Sequence, residues 1–199
     1  MTLSLGEATV LAAKAARGAG LPWGLAEEAG RAARWLEARG APGLLAIAAL
    51  CEAREAGTAA QCPLRLGCAV ADGARAPAGD LGPVSAPLLL APFLAAHADP
   101  GATTSPLADT AATAIRADGA EATVSAETVA PGPEGWAPFL AVARVTLAPA
   151  AAPPAARPRR SRADPAAAAR LEPFAARLLA PSDPRTRATG AGPGVATDD

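Results

Sequence analysis

The chain has 199 residues, a formal net charge of −1, and 59 alanines and 17 arginines against a single lysine. This length suits one domain, and 51 % apolar residues can build a core, although alanine buries little area per side chain. The balanced charge excludes a general attraction to nucleic acid or an anionic membrane, and neither a secretory leader nor a membrane-spanning apolar run is evident. We therefore expect a soluble cytoplasmic protein.

The first predicted helix opens at a capping box. Ser4 and Glu7 are spaced so that each side chain reaches the backbone N–H of the other residue, and Gly18 is placed to end the helix. Lys14 and Arg17 lie in the last turn, where positive charge complements the helix dipole. That complement is a sufficient structural reason for both cations.

Two more helices are predicted, over residues 23–39 and 42–56, the latter bounded by Gly40 and Gly57. Four residues of the second helix recur at helical spacing and predict its core stripe: Leu25, Ala29, Ala32 and Leu36. The three helices together predict an N-terminal helical bundle.

The chain after residue 57 predicts a small antiparallel or mixed sheet. Residues 62–73, which include Cys68, have the texture of a short strand that ends in an Asp-Gly turn. Residues 84–97 favour a short helix capped by Ser85 and divided or kinked at Pro92, with a buried irregular segment as the alternative.

The strongest strand signal is a hairpin over residues 111–129, centred on Asp118-Gly119, a dipeptide that favours type I′ turns. A further strand is predicted over residues 139–147, with Trp136 anchoring the loop before it. Residues 1–148 are thus expected to form an α+β core within what is most simply one domain.

Three segments follow that core. Residues 149–163 are a Pro/Arg-rich linker, residues 164–180 a C-terminal helix kinked near Pro173, and residues 181–199 a Gly-rich tail. The linker is interpreted either as solvated chain or as a docking segment for an acidic protein partner. Its cations are Arg157, Arg159, Arg160 and Arg162.

No catalytic constellation stands out. The three cysteines are odd in number without a C-x-x-C pair, and His97 is the only histidine, so no metal and no cofactor are predicted. A Ser-His-Asp triad drawing on Ser85 or Ser105 with Asp99 or Asp109 is formally available, but no spacing supports it.

A candidate ligand site surrounds the turn between the first two helices. An arginine there can hold a carboxylate by a bidentate fork beside a tryptophan wall, which predicts a small carboxylated metabolite as ligand. Helix packing explains the same residues, because Arg31 can pair with Glu27 or Glu28 and stack on Trp35. The candidate residues are Arg17, Trp23, Glu27, Glu28, Arg31 and Trp35.

The sequence favours a non-catalytic small-molecule-binding or accessory protein. One alternative is a cofactor-independent enzyme acting on a small carboxylated or amide metabolite, with Glu27 or Glu28 as base and Arg17 as anchor. Consecutive helical residues point about 100° apart, so at most one of the two carboxylates faces a given pocket. A third alternative is an interaction scaffold that uses the Arg157–Arg162 linker.

With its segments at residues 1–5, 14–20, 22–29 and 34–36, the chain resembles a family of bacterial proteins of roughly 200 residues and unknown function. The resemblance implies a bacterial cytosolic protein and carries over no catalytic residue. Near the C-terminus the family's Gly-Ala-Gly-Ala-Gly ending appears here with Pro193 in place of an alanine, which argues against a ligand-cradling loop.

Overall fold

The computed structural model describes residues 3–97, 112–151, 153 and 164–179. These residues form an α+β fold, as the sequence predicts. The helices are α1 (Leu5–Gly18), α2 (Trp23–Ala38), α3 (Gly43–Glu55), α4 (Pro63–Ala71), α5 (Ala91–His97) and α6 (Pro165–Ala176). The strands are β1 (Gly79–Ser85), β2 (Ala112–Ala117), β3 (Ala120–Val124), β4 (Val129–Pro131) and β5 (Val142–Ala150).

The capping box of α1 is confirmed. The Ser4 N–H donates to Glu7 Oε2 at 2.8 Å, and the Glu7 N–H donates to Ser4 Oγ at 3.2 Å. α1 ends at Gly18 as predicted, but Gly18 is itself helical and the left-handed residue after the helix is Gly20, at φ 85°. Gly18 instead lies where α1 crosses α6, and an added Cβ would overlap the carbonyl oxygen of Phe174.

The first two helices pack through alanine. The buried residues of α1 are Ala8, Ala12, Ala15 and Ala16, and those of α2 are Ala26, Ala29, Gly30, Ala32, Ala33, Leu36 and Glu37. In the predicted core stripe, Leu25 is half-buried, whereas the other three residues are buried. A Cβ on Gly30 would lie 2.8 Å from the carbonyl oxygen of Thr9. Small side chains therefore let the backbones approach closely, which gives the alanines of these two helices a structural role.

The prediction of a strand over residues 62–73 is wrong, because the segment forms α4. Pro63 occupies the first helical turn, where its missing N–H costs nothing. Leu64, Leu66 and Val70 alternate with smaller residues and imitate a strand, but Gly67 is also buried and an added Cβ would overlap the Phe93 ring of α5. Packing against α5 thus favours a helix over a strand in this segment.

The helix predicted over residues 84–97 forms only from Ala91 onward, and its predicted cap at Ser85 is wrong. Ser85 is the last residue of β1, and its Oγ accepts the Ala60 N–H at 2.8 Å rather than capping a helix. Ala86 follows in the left-handed region at φ 44°, which separates the strand from a 3-10 turn over Pro87–Leu90. α5 then begins so that Pro92 falls in its first turn, the position that a helix tolerates.

The five strands form one sheet in the order β1-β5-β2-β3-β4, and each of the four pairings is antiparallel. The predicted hairpin is confirmed: Asp118 and Gly119 join β2 to β3 with φ of 47° and 92°. Two positive φ values are the signature of a type I′ turn. The second predicted strand of the hairpin, however, ends at Val124, and residues 129–131 return as β4.

One face of the sheet is apolar and packs against α3 and α5, with Val84, Ile115 and Val145 buried. Charged pairs occupy the opposite, solvated face. Arg116 Nε lies 2.8 Å from Glu121 Oε2 between β2 and β3, and Arg144 pairs with Asp80 between β5 and β1. This one-sided pattern is common for antiparallel sheets.

The strand predicted over residues 139–147 is shifted, because Phe139 lies in a 3-10 turn and β5 runs on to Ala150. Trp136 is half-buried against the core beside this turn, as its predicted anchoring role requires. β5 thereby extends two residues into the predicted linker. Apart from residues 149–151 and 153, that linker lies outside the described residues, and so does the Gly-rich tail.

α6 returns to the helical layer and is held there by side chains. Asp164 caps it by accepting the Ala166 N–H at 2.9 Å, and Pro173 lies inside it. Arg170 forms a two-pronged pair with Glu52 of α3, at 2.8 and 2.7 Å, and Arg177 pairs with Glu55. The C-terminal end of α6 consequently lies along α1 and completes the candidate site.

Candidate functional site

The α1–α2–α6 groove is a surface cavity of about 580 Å³. It lies over α1, between the start of α2 and the end of α6. Its lining is mostly apolar, with charged groups along the α1 and α2 sides. The lining residues are Thr9, Val10, Ala13, Lys14, Trp23, Ala26, Glu27, Arg31, Ala175, Leu178 and Leu179.

Exposed apolar side chains concentrate in this groove. Five large apolar residues are exposed within the described part of the chain, and four of them line it: Val10, Trp23, Leu178 and Leu179. Trp23 is 64 % exposed and Leu179 is 69 % exposed. The fifth, Val142, lies at the start of β5. Single exposed apolar residues are ordinary, whereas a contiguous cluster of them is typical of a binding surface.

The groove also contains the only lysine of the chain. Lys14 is exposed and forms no ion pair with any described residue. Arg31 is partly neutralised by comparison, since its guanidinium lies 3.7 Å from Glu27 and also pairs with Glu28. The Lys14 ammonium is therefore the cation most available to an anionic ligand in this groove.

Arg17 fixes the tryptophan wall of the groove without lining it. Its guanidinium carbon lies 5.1 Å from the centre of the Trp23 ring, and its Nη1 donates to the Leu21 carbonyl at 3.0 Å. The hydrogen bond ties Arg17 to the turn that precedes α2. Arg17 thus positions Trp23, and a direct anchoring contact between Arg17 and a ligand in the groove has no geometric support.

The α2–α4–α5 groove is a second cavity, of about 420 Å³, on the other side of α2. Burial raises the pKa of the Cys68 thiol, and the negative charges of Glu28 and Asp72 raise it further. A thiol held in its protonated form is a poor nucleophile, so this groove lacks an activated cysteine. Its lining residues are Glu28, Arg31, Ala32, Trp35, Cys68, Ala71, Asp72, Pro92, Phe93 and Ala96.

The predicted stacking of Arg31 on Trp35 is wrong, because Arg39 makes that contact. The Arg39 guanidinium carbon lies 3.9 Å from the centre of the Trp35 ring. Helical side chains tilt toward the N-terminus, so a residue one turn later in the sequence covers the ring. Arg39 Nε also donates to the Glu127 carbonyl at 2.7 Å, which joins α2 to the loop between β3 and β4.

The six predicted site residues therefore do not share one cavity. Trp23 and Glu27 line the first groove, Glu28 and Trp35 line the second, and Arg31 lines both. Arg17 lines neither. Sequence analysis missed the other eight lining residues of the first groove, among them Val10, Lys14, Leu178 and Leu179. The available signals were that Val10 lies off the alanine stripe of α1 and that Lys14 is the only lysine.

The described residues give no geometric support to the formally available Ser-His-Asp triad. Ser85 is buried at the end of β1 and its hydroxyl is engaged by Ala60, while Ser105, Asp99 and Asp109 lie outside the described residues. Within the described ranges, no three His, Cys, Asp or Glu side chains group as metal ligands. None of the helices described has the length and apolarity needed to cross a bilayer.

The described residues define an α+β protein whose helical layer carries the two grooves. Residues 3–79 match the model of a family described as a protein of unknown function (DUF3726). The match spans α1 to α4 and confirms the resemblance over that part of the chain. The Gly-rich ending lies outside the matched residues. No curated protein and no solved structure matches the chain.

Proposed function

We propose that this chain is a non-catalytic binding protein that holds a small carboxylate with an apolar body in the α1–α2–α6 groove. One observation carries the proposal: four of the five exposed large apolar side chains of the described residues line that groove together with Lys14. An apolar lining beside one available cation is the usual composition of a site for an amphipathic anion.

The two parts of the groove contribute differently to binding. Covering Val10, Trp23 and Leu179 removes apolar surface from water, at roughly 25 cal/mol per Å², so the ligand body supplies affinity. The Lys14 ammonium remains solvent-exposed, where one ion pair adds about 1 kcal/mol or less. Charge should consequently determine which ligand end lies at Lys14 and contribute a modest preference for anions.

Binding has more geometric support than the enzymatic alternative. A base next to a substrate anchor would require Glu27 or Glu28 in the same cavity as Arg17, but Arg17 lines neither groove. Both carboxylates are also engaged in ion pairs with Arg31. The interaction-scaffold alternative involves linker residues outside the described ranges and stays a prediction.

The test is displacement of a fluorescent probe, 1-anilinonaphthalene-8-sulfonate, by 4-phenylbutyrate and by its amide. The carboxylate should displace the probe about three- to fivefold more strongly than the amide, and Lys14→Gln should remove that difference. Val10→Glu should weaken probe binding at least tenfold, because it places a charge on the apolar lining.

Val142→Glu is the matched control, since Val142 is likewise exposed and lies outside the groove. Both variants should first show wild-type circular dichroism. Equal loss of probe binding in the two variants, or no displacement by either compound at millimolar concentration, would contradict the proposal.

A further inference from the structure

A further cavity, of about 560 Å³, adjoins the α1–α2–α6 groove on the surface shared by α1 and α6. We call it the α1–α6 extension. Four residues line both cavities: Val10, Lys14, Ala175 and Leu179. The residues that line only the extension are Gly6, Glu7, Leu11, Glu172 and Ala176. Two ligand-sized cavities thus meet along one partly apolar wall.

The charges of the two cavities differ. The groove carries Lys14 and Arg31 against Glu27, whereas the extension carries Glu7 and Glu172 with Lys14 at the shared wall. Glu7 is committed to the capping box, and its hydrogen bonds with Ser4 lower its pKa below the ordinary value. A carboxylate is consequently repelled by the extension and favoured in the groove, while the apolar floor of the extension remains available to a hydrocarbon.

We propose that the preferred ligand is a linear aliphatic carboxylate that occupies both cavities, an inference that rests on the proposed function. The carboxylate lies at Lys14 on the side facing Arg31, and the chain passes Val10 and Leu179 into the extension. A flexible chain can bend around the exposed Leu179 side chain, whereas a rigid ring system fits only one of the two cavities. Chain length should therefore determine affinity.

The test is a titration of the full chain with hexanoate, octanoate, decanoate and dodecanoate below their micelle concentrations, followed by Trp fluorescence and calorimetry. Each added methylene buried should increase affinity about two- to fourfold. The dodecyl ammonium ion should bind at least threefold more weakly than dodecanoate, and Lys14→Gln should remove that preference.

Ala176→Glu isolates the extension, because Ala176 is exposed and lines the extension alone. We expect it to weaken dodecanoate binding at least tenfold and to leave hexanoate binding within twofold. Ala169→Glu is the matched control, on the same helix, likewise exposed and outside both cavities. It should leave the whole series unchanged.

The outcomes separate this inference from the proposed function. Binding of phenylbutyrate and hexanoate without any gain toward dodecanoate overturns the linear ligand and leaves the groove proposal standing. No binding of any carboxylate overturns both. A concentration-dependent dimer in light scattering that Ala176→Glu dissolves would identify a second copy of the chain as the occupant and would also overturn the linear-ligand inference.

Discussion

Phe174 of α6 directs its backbone carbonyl oxygen at Gly18 of α1, so closely that no side chain fits between the two helices. This contact fixes how near α6 lies to α1. Ala175, Leu178 and Leu179 follow directly, and they form the α6 side of the proposed groove. The shape of the groove therefore depends on the absence of a side chain at Gly18, although Gly18 itself does not line the groove.

Gly18→Ala should destabilise the protein by about 1–3 kcal/mol, because the new methyl group must displace the backbone of α6. The displacement should also weaken probe binding in the groove. Urea unfolding followed by circular dichroism measures the first effect, and the probe titration measures the second.

Gly24→Ala is the control for the effect of replacing glycine by alanine on backbone conformational entropy. Gly24 lies in the first turn of α2, and a Cβ there meets nothing within 4 Å. Alanine at this position should therefore stabilise the protein by about 0.5–1 kcal/mol. If both substitutions shift the unfolding midpoint in the same direction, steric conflict at Gly18 is not the operative cause.

Local chemistry explains which elements the sequence could predict. The Ser4–Glu7 capping box and the Asp118-Gly119 turn are determined by residues within a few positions of one another, and both are confirmed. α4 depends instead on the fit of Gly67 against Phe93, a contact that spans 26 residues. Period-two spacing of its apolar residues cannot reveal such a partner, so the segment imitates a strand.

The site was predictable only in part for a similar reason. Residue type identified Trp23 and Glu27, but Leu178 and Leu179 reach the groove because α6 folds back over α1. α6 is held there mainly by its buried residues Leu171 and Phe174, and the exposed pairs of Arg170 and Arg177 with Glu52 and Glu55 of α3 add a small contribution. Long-range contacts of this kind leave no pattern in the sequence of either helix.

Arg39→Ala should destabilise the protein by about 1–2 kcal/mol. The substitution removes the guanidinium from the Trp35 ring and leaves the Glu127 carbonyl without its donor. Arg39→Lys should recover less than half of the loss, since an ammonium lacks the flat surface that stacks on an indole. Chemical denaturation followed by Trp fluorescence measures both variants.

Arg34→Ala is the comparison for Arg39, because Arg34 is exposed on the same helix. Its removal should change the free energy of unfolding by no more than about 0.5 kcal/mol. Equal losses at the two positions would mean that general helix charge, and not the Trp35 contact, determines the effect.

Glu52 should make stability depend on pH. Its hydrogen bonds from Arg170 hold its pKa below the ordinary value of 4.5. The folded state therefore releases this proton more readily than the unfolded state, so the stabilisation is present above about pH 4.5 and is lost as pH falls through the folded-state pKa. Because both side chains are 43 % exposed, the pair should contribute less than about 1 kcal/mol.

Glu52→Gln should accordingly lower stability at pH 7 by that small amount and flatten its decline below pH 4.5. Part of the decline should remain, because hydrogen bonds from Gly82 and Arg144 also lower the pKa of Asp80. Glu134→Gln, an equal change of charge at an exposed residue, should leave the profile unaltered. A variant profile that parallels wild type throughout would refute the assignment to Glu52.

The three cysteines should react with iodoacetamide at different rates. Burial raises the pKa of the Cys51 thiol to about 12. At pH 8 its thiolate fraction is then on the order of one in ten thousand, and its side chain is also inaccessible. Cys62, half-buried before α4, should be labelled first, and Cys51 only when the protein opens.

Peptide mass spectrometry resolves the labelled sites. Cys62→Ser should remove the fast phase alone, and urea should accelerate labelling of Cys51. Rapid native labelling of Cys51 would show that α3 is less well protected than its packing against α2 and α6 implies.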